Sequence, residues 1–454
     1  MITTIRSGKP SVRSRSLLDR LLGLFTHVES GEGVGALLLA ANIFTLLASY
    51  YLLKTARESL ILSEGSAEVK SYAAAFQALI LVGAVPVYGL VATRVNRSRL
   101  INGVLLFFVS HLAVFAGLAS HGYHIGVAFF LWVGIFNLMI VAQFWSFAND
   151  LYNIETGRRL FPLVGVGGSI GAWLGARAGA TLMADHGQPA DLFGLAAIGL
   201  LVCVGLNWIS MRAGGFTSTR VRGGDEDGPL GPAGGVALTL FDPYLRLIAV
   251  LVILVNLVIT IGEYLLGRFV VSEAMRMLGN GAAHGLTKAQ LIGMFYGDFF
   301  AWVNLAGLAI QLVVVSRVFK WIGVGGALFV LPLIALGSYG LFAFVPLLGA
   351  VRIGKIFENA TDYSLQNTTR HALFLPTSRE AKFKAKQAID GLCWRLGDLL
   401  QAGVVFLGTR LAFGIREFAL LNEVFVCLWI GLVVRIYREH GRRTIVFEED
   451  RKVA

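Results

Sequence analysis

Residues 34–58 read VGALLLAANIFTLLASYYLLKTARE. From Val34 to Leu53 the run carries no charge, and roughly 20 apolar residues suffice to cross a hydrocarbon layer. Inside that layer every backbone amide must be satisfied within the segment, so the run is read as a helix. It then meets Lys54, Arg57 and Glu58. Comparable runs recur as far as residue 435, so the chain is expected to be an all-α, multi-pass integral membrane protein lying in a lipid bilayer.

Composition supports this reading. Of the 454 residues, 56% are hydrophobic and 15% charged, with a mean hydropathy of +0.70, whereas soluble domains carry about 25% charge. The net charge of +11 does not point to nucleic acid, because the basic residues gather between apolar runs as in cytoplasmic loops. Cys203, Cys393 and Cys427 lie within apolar runs and form no ligand spacing, so they read as small hydrophobes. The histidines, including His27, His111, His121, His124, His186 and His371, show no paired ligand spacing, and no nucleophile motif appears. No metal, cofactor or enzyme chemistry is expected.

Twelve spans are expected, at roughly 34–58, 71–93, 100–120, 124–149, 160–183 and 192–212, then 244–266, 290–316, 322–345, 348–371, 385–410 and 416–436. The organisation that follows is a basic segment over 1–33 with an interfacial helix on Leu17, Leu18, Leu21, Leu22 and Phe25, and a six-helix half over 34–212. A Gly-rich linker at 213–238 leads to a second half over 239–436 and a basic tail over 437–454. Three matches support two parallel repeats. Thr93-Arg94-Val95 pairs with Ser316-Arg317-Val318, Trp145-Ser146…Asn149 with Tyr363-Ser364…Asn367, and Leu174-Gly175 with Leu396-Gly397, at near-constant spacing. This is the layout of major-facilitator transporters, whose site lies at midplane between the halves.

Each charge within a span costs about 2.5–3.5 kcal/mol on insertion scales, so such residues are candidates for function. Lys54 shares a helix face with Arg57 and Glu58, and two cations there suit a phosphate or carboxylate; the alternative is a snorkelling anchor at the interface. Glu263 is read as an ion relay or partner to a cation of the other half, or else as a rim residue paired with Arg268. Arg395 and Asp398 are spaced to pair along one helix, for transport or for packing alone. Arg177 and Lys355 are further cations without an obvious partner in their own helices, and Asp298 is a lone acid. Gly167, Gly171, Gly175 and Gly179 keep a four-residue spacing, read as a close helix contact rather than a phosphate loop.

Several stretches resemble the ATP/ADP translocases of plastids and obligate intracellular bacteria, a major-facilitator-like family. They are Leu52-Leu53-Lys54-Thr55-Ala56-Arg57-Glu58-Ser59-Leu60 with Gly65-Ser66-Ala67-Glu68, Phe144-Trp145-Ser146-Phe147-Ala148-Asn149, the pair Tyr244 and Glu263, and Lys386-Gln387-Ala388-Ile389-Asp390 with Leu396-Gly397. The resemblance implies an ATP:ADP antiporter with a small anionic, nucleotide substrate. It places transport residues at Arg57, where lysine is usual, and at Glu263. Val133 stands where the family has an acid and Asp398 where it has a lysine, with Arg395 close enough to restore a cation. The expected function is therefore nucleotide exchange or uptake by a carrier of the bacterial inner membrane. The alternatives are a proton-coupled carrier of another organic anion, with Glu263 as relay, and a non-transporting scaffold or sensor.

Orientation follows from Arg94, Arg97 and Arg99, from Arg158 and Arg159, from Arg317 and Lys320, from Arg370, Arg379, Lys382, Lys384 and Lys386, and from Arg435, Arg438, Arg442 and Arg443. The opposite loops are short or acidic, with Glu64 and Glu68 in one and Asp185 and Asp191 in another, and the segment near 268–288, with Arg268, Arg276 and Lys288, is the exception. On balance the basic segments place both termini in the cytoplasm. Single-cysteine labelling is expected to reach Ser66→Cys from outside and Ser378→Cys only from inside; the reverse pattern would invert the topology.

Overall fold

A computed structural model describes residues 28–29, 32–92, 97–152, 154–213, 234–345 and 347–453. The interfacial helix expected near Leu17–Phe25 and most of the linker, 214–233, lie outside these residues. Six helices make the first set: α1 (Gly33–Glu64), α2 (Ala67–Ala92), α3 (Arg97–Ser120), α4 (Gly126–Leu151), α5 (Ile154–Ala184) and α6 (Pro189–Ala213). A short α7 (Gly235–Phe241) leads to α8 (Pro243–Gly279). α9 starts as Lys288–Ala309 and passes through a π-turn at Ile310–Val314 into Val315–Ala327. Gly323 breaks that last stretch at φ 68°, a left-handed conformation that only glycine adopts without strain. This turn separates the eighth and ninth expected spans and leads to α10 (Val330–Phe344).

α11 occupies 348–372 with a π-turn at Asp362–Gln366, α12 occupies 381–410 with π-turns at Ala381–Ala385 and Ile389–Cys393, and α13 is Ile415–Val453. Among the described residues, seven helices are long and apolar enough to cross a membrane by length and composition alone. The expected spans fall within a few residues of the helices except at the far ends of α8, α9 and α13 and at the start of α10, which lies eight residues after the expected 322. At α8 and α13 the helices continue through stretches read as loop and as tail.

The packing repeats between the sets. α1 packs on α5 and α6, and α8 on the corresponding α12 and α13; α3 packs on α6 as α10 does on α13. Across the halves, α5 lies against α9, and α12 against α2. This is the parallel six-plus-six arrangement that the sequence matches implied.

α5 is held closely on two sides. Added Cβ atoms at Gly171 and Gly175 would overlap the carbonyls of Phe44 and Ala48 on α1, and one at Gly167 would lie 2.8 Å from the Ala40 oxygen. On its other side, an added Cβ at Gly297 of α9 would come within 2.7 Å of the Ala180 nitrogen. The glycine ladder is thus a helix contact. Hydrogen bonds between the halves gather at the end where α1 finishes. Ser59 donates to the Ala289 carbonyl (2.5 Å), Lys288 to that of Ser63 (3.1 Å), Gln290 to that of Gly187 (3.2 Å) and Tyr264 to Glu68 (2.7 Å).

At the opposite end the second half is tied together. Asp242 caps α8 by accepting from the Tyr244 amide (2.8 Å) and is gripped by both Arg443 nitrogens of α13 (2.7 and 3.0 Å). The Tyr244 hydroxyl donates to the Leu373 carbonyl of α11 and lies 2.9 Å from His440 Nδ1.

Gly171→Leu is expected to lower yield and melting temperature sharply, since overpacking costs about 1–3 kcal/mol even where side chains can move and here backbone lies in the way. Wild-type melting of the detergent-purified variant would make the ladder incidental.

Candidate functional site

The last two turns of α1 carry the first charged cluster. Glu58, 1% exposed, is clamped by two cations: Arg57 at 2.5 Å and Lys70 of α2 at 2.6 Å. The Arg57 guanidinium also lies 4.7 Å from the Phe130 ring centroid of α4. Desolvating these charges is costly, and the pairing offsets that cost. Arg57, expected to grip substrate together with Lys54, donates from its Nε and one terminal nitrogen to Glu58, its neighbour in sequence.

Lys54 differs. Its side chain is 9% exposed, and among the described residues no carboxylate lies within ion-pair distance of it. Its ammonium sits over rings instead: Phe300 of α9 at 4.2 Å, Tyr51 at 5.1 Å and Tyr363 of α11 at 5.9 Å. Two of the three belong to the other half. Such cation–π contacts are worth about 0.5–2 kcal/mol, less than a buried carboxylate or phosphate partner would supply.

The second half has its own cluster. Glu263 of α8 accepts from the Asn359 amide (2.9 Å) and lies 3.5 Å from Lys355. Lys355 and Glu358, both on α11 and fully buried, are 3.1 Å apart, and Tyr339 of α10 donates to Glu358 at 2.6 Å. The rim reading of Glu263 is not realised: Arg268 bonds the Phe413 carbonyl at 3.2 Å. Glu263 and Lys70 are close enough to act on each other electrostatically, so the clusters face one another. Lys54, Arg57 and Lys70 against Glu58 leave two positive charges in surplus; Glu263 and Glu358 against Lys355 leave one negative.

Arg395 and Asp398 lie elsewhere. They are 3.7 Å apart on α12, and Asn256 of α8 donates to both Asp398 (2.8 Å) and the Trp394 carbonyl (2.7 Å). Gly397 lets Asn256 approach this closely. No contact among the described residues joins this joint to Lys54 or Glu263. Asp298, read as a lone acid, binds Arg177 of α5 (2.6 Å) and Arg352 of α11, one from each half. Val133 is fully buried in apolar packing.

The sequence reading missed Lys70, Glu358 and the three rings. Glu358 was legible, three residues after Lys355, as the i,i+3 partner that residue lacked. Lys70 sits in a segment read for its acids. Phe300 and Tyr363 carry no mark in hydropathy that separates a site ring from a packing ring.

The model of the TLC ATP/ADP transporter family matches residues 300–440. ADP,ATP carrier protein 1 of Chlamydia pneumoniae is 24% identical over 341 residues, 65% of this chain and 63% of the carrier. The chloroplastic ADP,ATP carrier protein 1 of Arabidopsis thaliana is 22% identical, over 65% of this chain and 51% of that protein. The chain thus spans less than two thirds of the length of each of these two carriers. ADP,ATP carrier protein 5 of Rickettsia felis is 21% identical over 95% of this chain and 99% of its own. The resemblance read from individual residues is therefore found along the chain as well. Among solved structures, a POT family transporter in complex with a thioalcohol conjugated peptide matches at TM-score 0.62 and 15% identity, covering 92% of this chain and 98% of that one. The nucleoside transporter NupG matches at 0.53 and 13%, covering 89% and 97%. At these identities the likeness carries the fold.

Glu58→Gln would leave Arg57 and Lys70 buried without their shared partner. It is expected to destabilise by about 3–5 kcal/mol, and Arg57→Gln by less, since Lys70 keeps its partner. Melting of the purified variants checks this; equal melting of Glu58→Gln and wild type would remove the clamp from the account.

Proposed function

We propose that the chain is a secondary transporter of the inner membrane that exchanges nucleotides of the ATP/ADP type by alternating access. The observation that carries the reading is Lys54: a buried ammonium at the junction of the halves, held by rings of both and matched to no carboxylate among the described residues. An anion is what such a group lacks. The surplus of positive charge around it suits phosphate oxygens, and Arg57 and Lys70, both paired with Glu58, add to that field. Glu263 faces the same region and answers the surplus when no substrate is bound.

The contacts from Ser59, Lys288, Gln290 and Tyr264 close the end where α1 finishes, which we assign to the outside, with both termini in the cytoplasm. Transport then requires those contacts to part while α5 and α9 rock on their small residues. The relatives' printed names and the motifs at Lys54–Glu68 support the same cargo.

A second reading, a proton-coupled carrier, is favoured by one feature: Glu263 and Glu358 share the single cation Lys355. Proteoliposomes separate the two. Exchange predicts ATP uptake that needs ADP inside and ignores an imposed pH gradient. Uptake into empty vesicles driven by the gradient would establish the second reading instead. Lys54→Gln is expected to weaken substrate affinity about tenfold or more, the loss of one charge-assisted contact, with melting unchanged. Unaltered affinity would reduce Lys54 to an anchor.

A further inference from the structure

Tyr363 is not accounted for by phosphate binding. Its ring lies beside the Lys54 ammonium, a charge that must face the bundle interior or a water-filled space rather than lipid. Phe300 and Tyr51, its companions there, are 4% and 8% exposed, yet Tyr363 is 49% exposed. A ring that is open on one side and next to an embedded cation is within reach of a ligand that reaches the cation. The helix is also shaped at this point. Asp362–Gln366 is a π-turn, a departure that re-aims side chains and recurs at functional sites. Ser364 and Thr368 hold it by donating to the Ala360 (2.6 Å) and Ser364 (2.9 Å) carbonyls.

We propose that Tyr363 is the platform on which the aromatic base of the cargo stacks while its phosphates engage Lys54. Without substrate, the ammonium covers the electron-rich ring faces. An oligophosphate offers it a stronger partner and draws it off, which frees those faces for a flat, π-bearing group. Tyr363 is then a specificity residue: it favours a base-bearing oligophosphate over the oligophosphate alone. This rests on the nucleotide reading above.

The test is binding of ATP and of inorganic tripolyphosphate to the detergent-purified full chain, as wild type, Tyr363→Phe and Tyr363→Leu. Stacking predicts that wild type prefers ATP by about tenfold. Tyr363→Phe should keep that preference. Tyr363→Leu should bring the ratio close to one while tripolyphosphate binding stays at the wild-type level, which also reports that the variant is folded. A wild-type ratio in Tyr363→Leu would overturn the platform, as would loss of tripolyphosphate binding in step with ATP. Equal binding of both ligands by wild type would remove the platform and leave the phosphate site standing. Binding of neither would remove the nucleotide reading and the platform with it.

Discussion

The close approach of α5 to α1 on one side and to α9 on the other sets the rest of the molecule. Helices in lipid gain little from burying apolar surface against each other, so packing of small residues carries the association. Gly167, Gly171 and Gly175 admit the backbone of α1, and Gly297 admits that of α5. Because α5 is so thin on both faces, α1 can also reach α9 beside it. Ser59 then bonds the Ala289 carbonyl, and the Lys54 ammonium comes to rest 4.2 Å from the Phe300 ring centroid. A bulkier α5 would separate a cation and a ring that belong to opposite halves.

Within that frame, the embedded charges are arranged by what each can find. Glu58 takes two cations, Asp298 takes two arginines, and Lys355 takes two carboxylates. Each of these groups exchanges hydration for a partner whose charge and hydrogen bonds offset the loss. Lys54 has no carboxylate within ion-pair distance among the described residues and rests on rings, and in the function proposed above that shortfall against a true counter-ion is what a substrate anion would supply. The arrangement also shows why residues next to one another in sequence divide so sharply in role. Arg57 can fold back onto Glu58, whereas Lys54, a turn earlier, points into the other half.

Much of the architecture was legible in the sequence because the bilayer imposes it. Spans such as 34–58 and 124–149 announce themselves by length and lack of charge, and the glycine spacing of α5 has a packing meaning that needs no partner to be named. The helix ends of α8 and α13 were not legible, because a helix that leaves the membrane becomes polar and then looks like loop. At the site, Lys54 and Glu263 stood out as charges in apolar runs, and both lie at the junction of the halves. Arg395 and Asp398 stood out by the same rule but serve the joint with Asn256. A one-dimensional rule registers that a charge is embedded and not which neighbour receives it. Asp298 drew little weight because its partners, Arg177 and Arg352, are far away in sequence.

The twelfth spanning helix has a mechanical consequence. At 39 residues and ~1.5 Å per residue, α13 is roughly 58 Å long against a hydrocarbon core of roughly 30 Å. It is fastened to the start of α8 through Arg443 and Asp242, and α8 in turn to α11 through Tyr244 and the Leu373 carbonyl. The second half therefore carries a stiff rod that projects well clear of the bilayer and shares its rigid-body motion. When that half tilts about a fulcrum near α5 and α9, the far tip of the rod sweeps a wider arc than any residue at the substrate. In the alternating-access cycle proposed above, this rod would act as a pointer that magnifies a small rotation deep in the membrane into a large displacement in water.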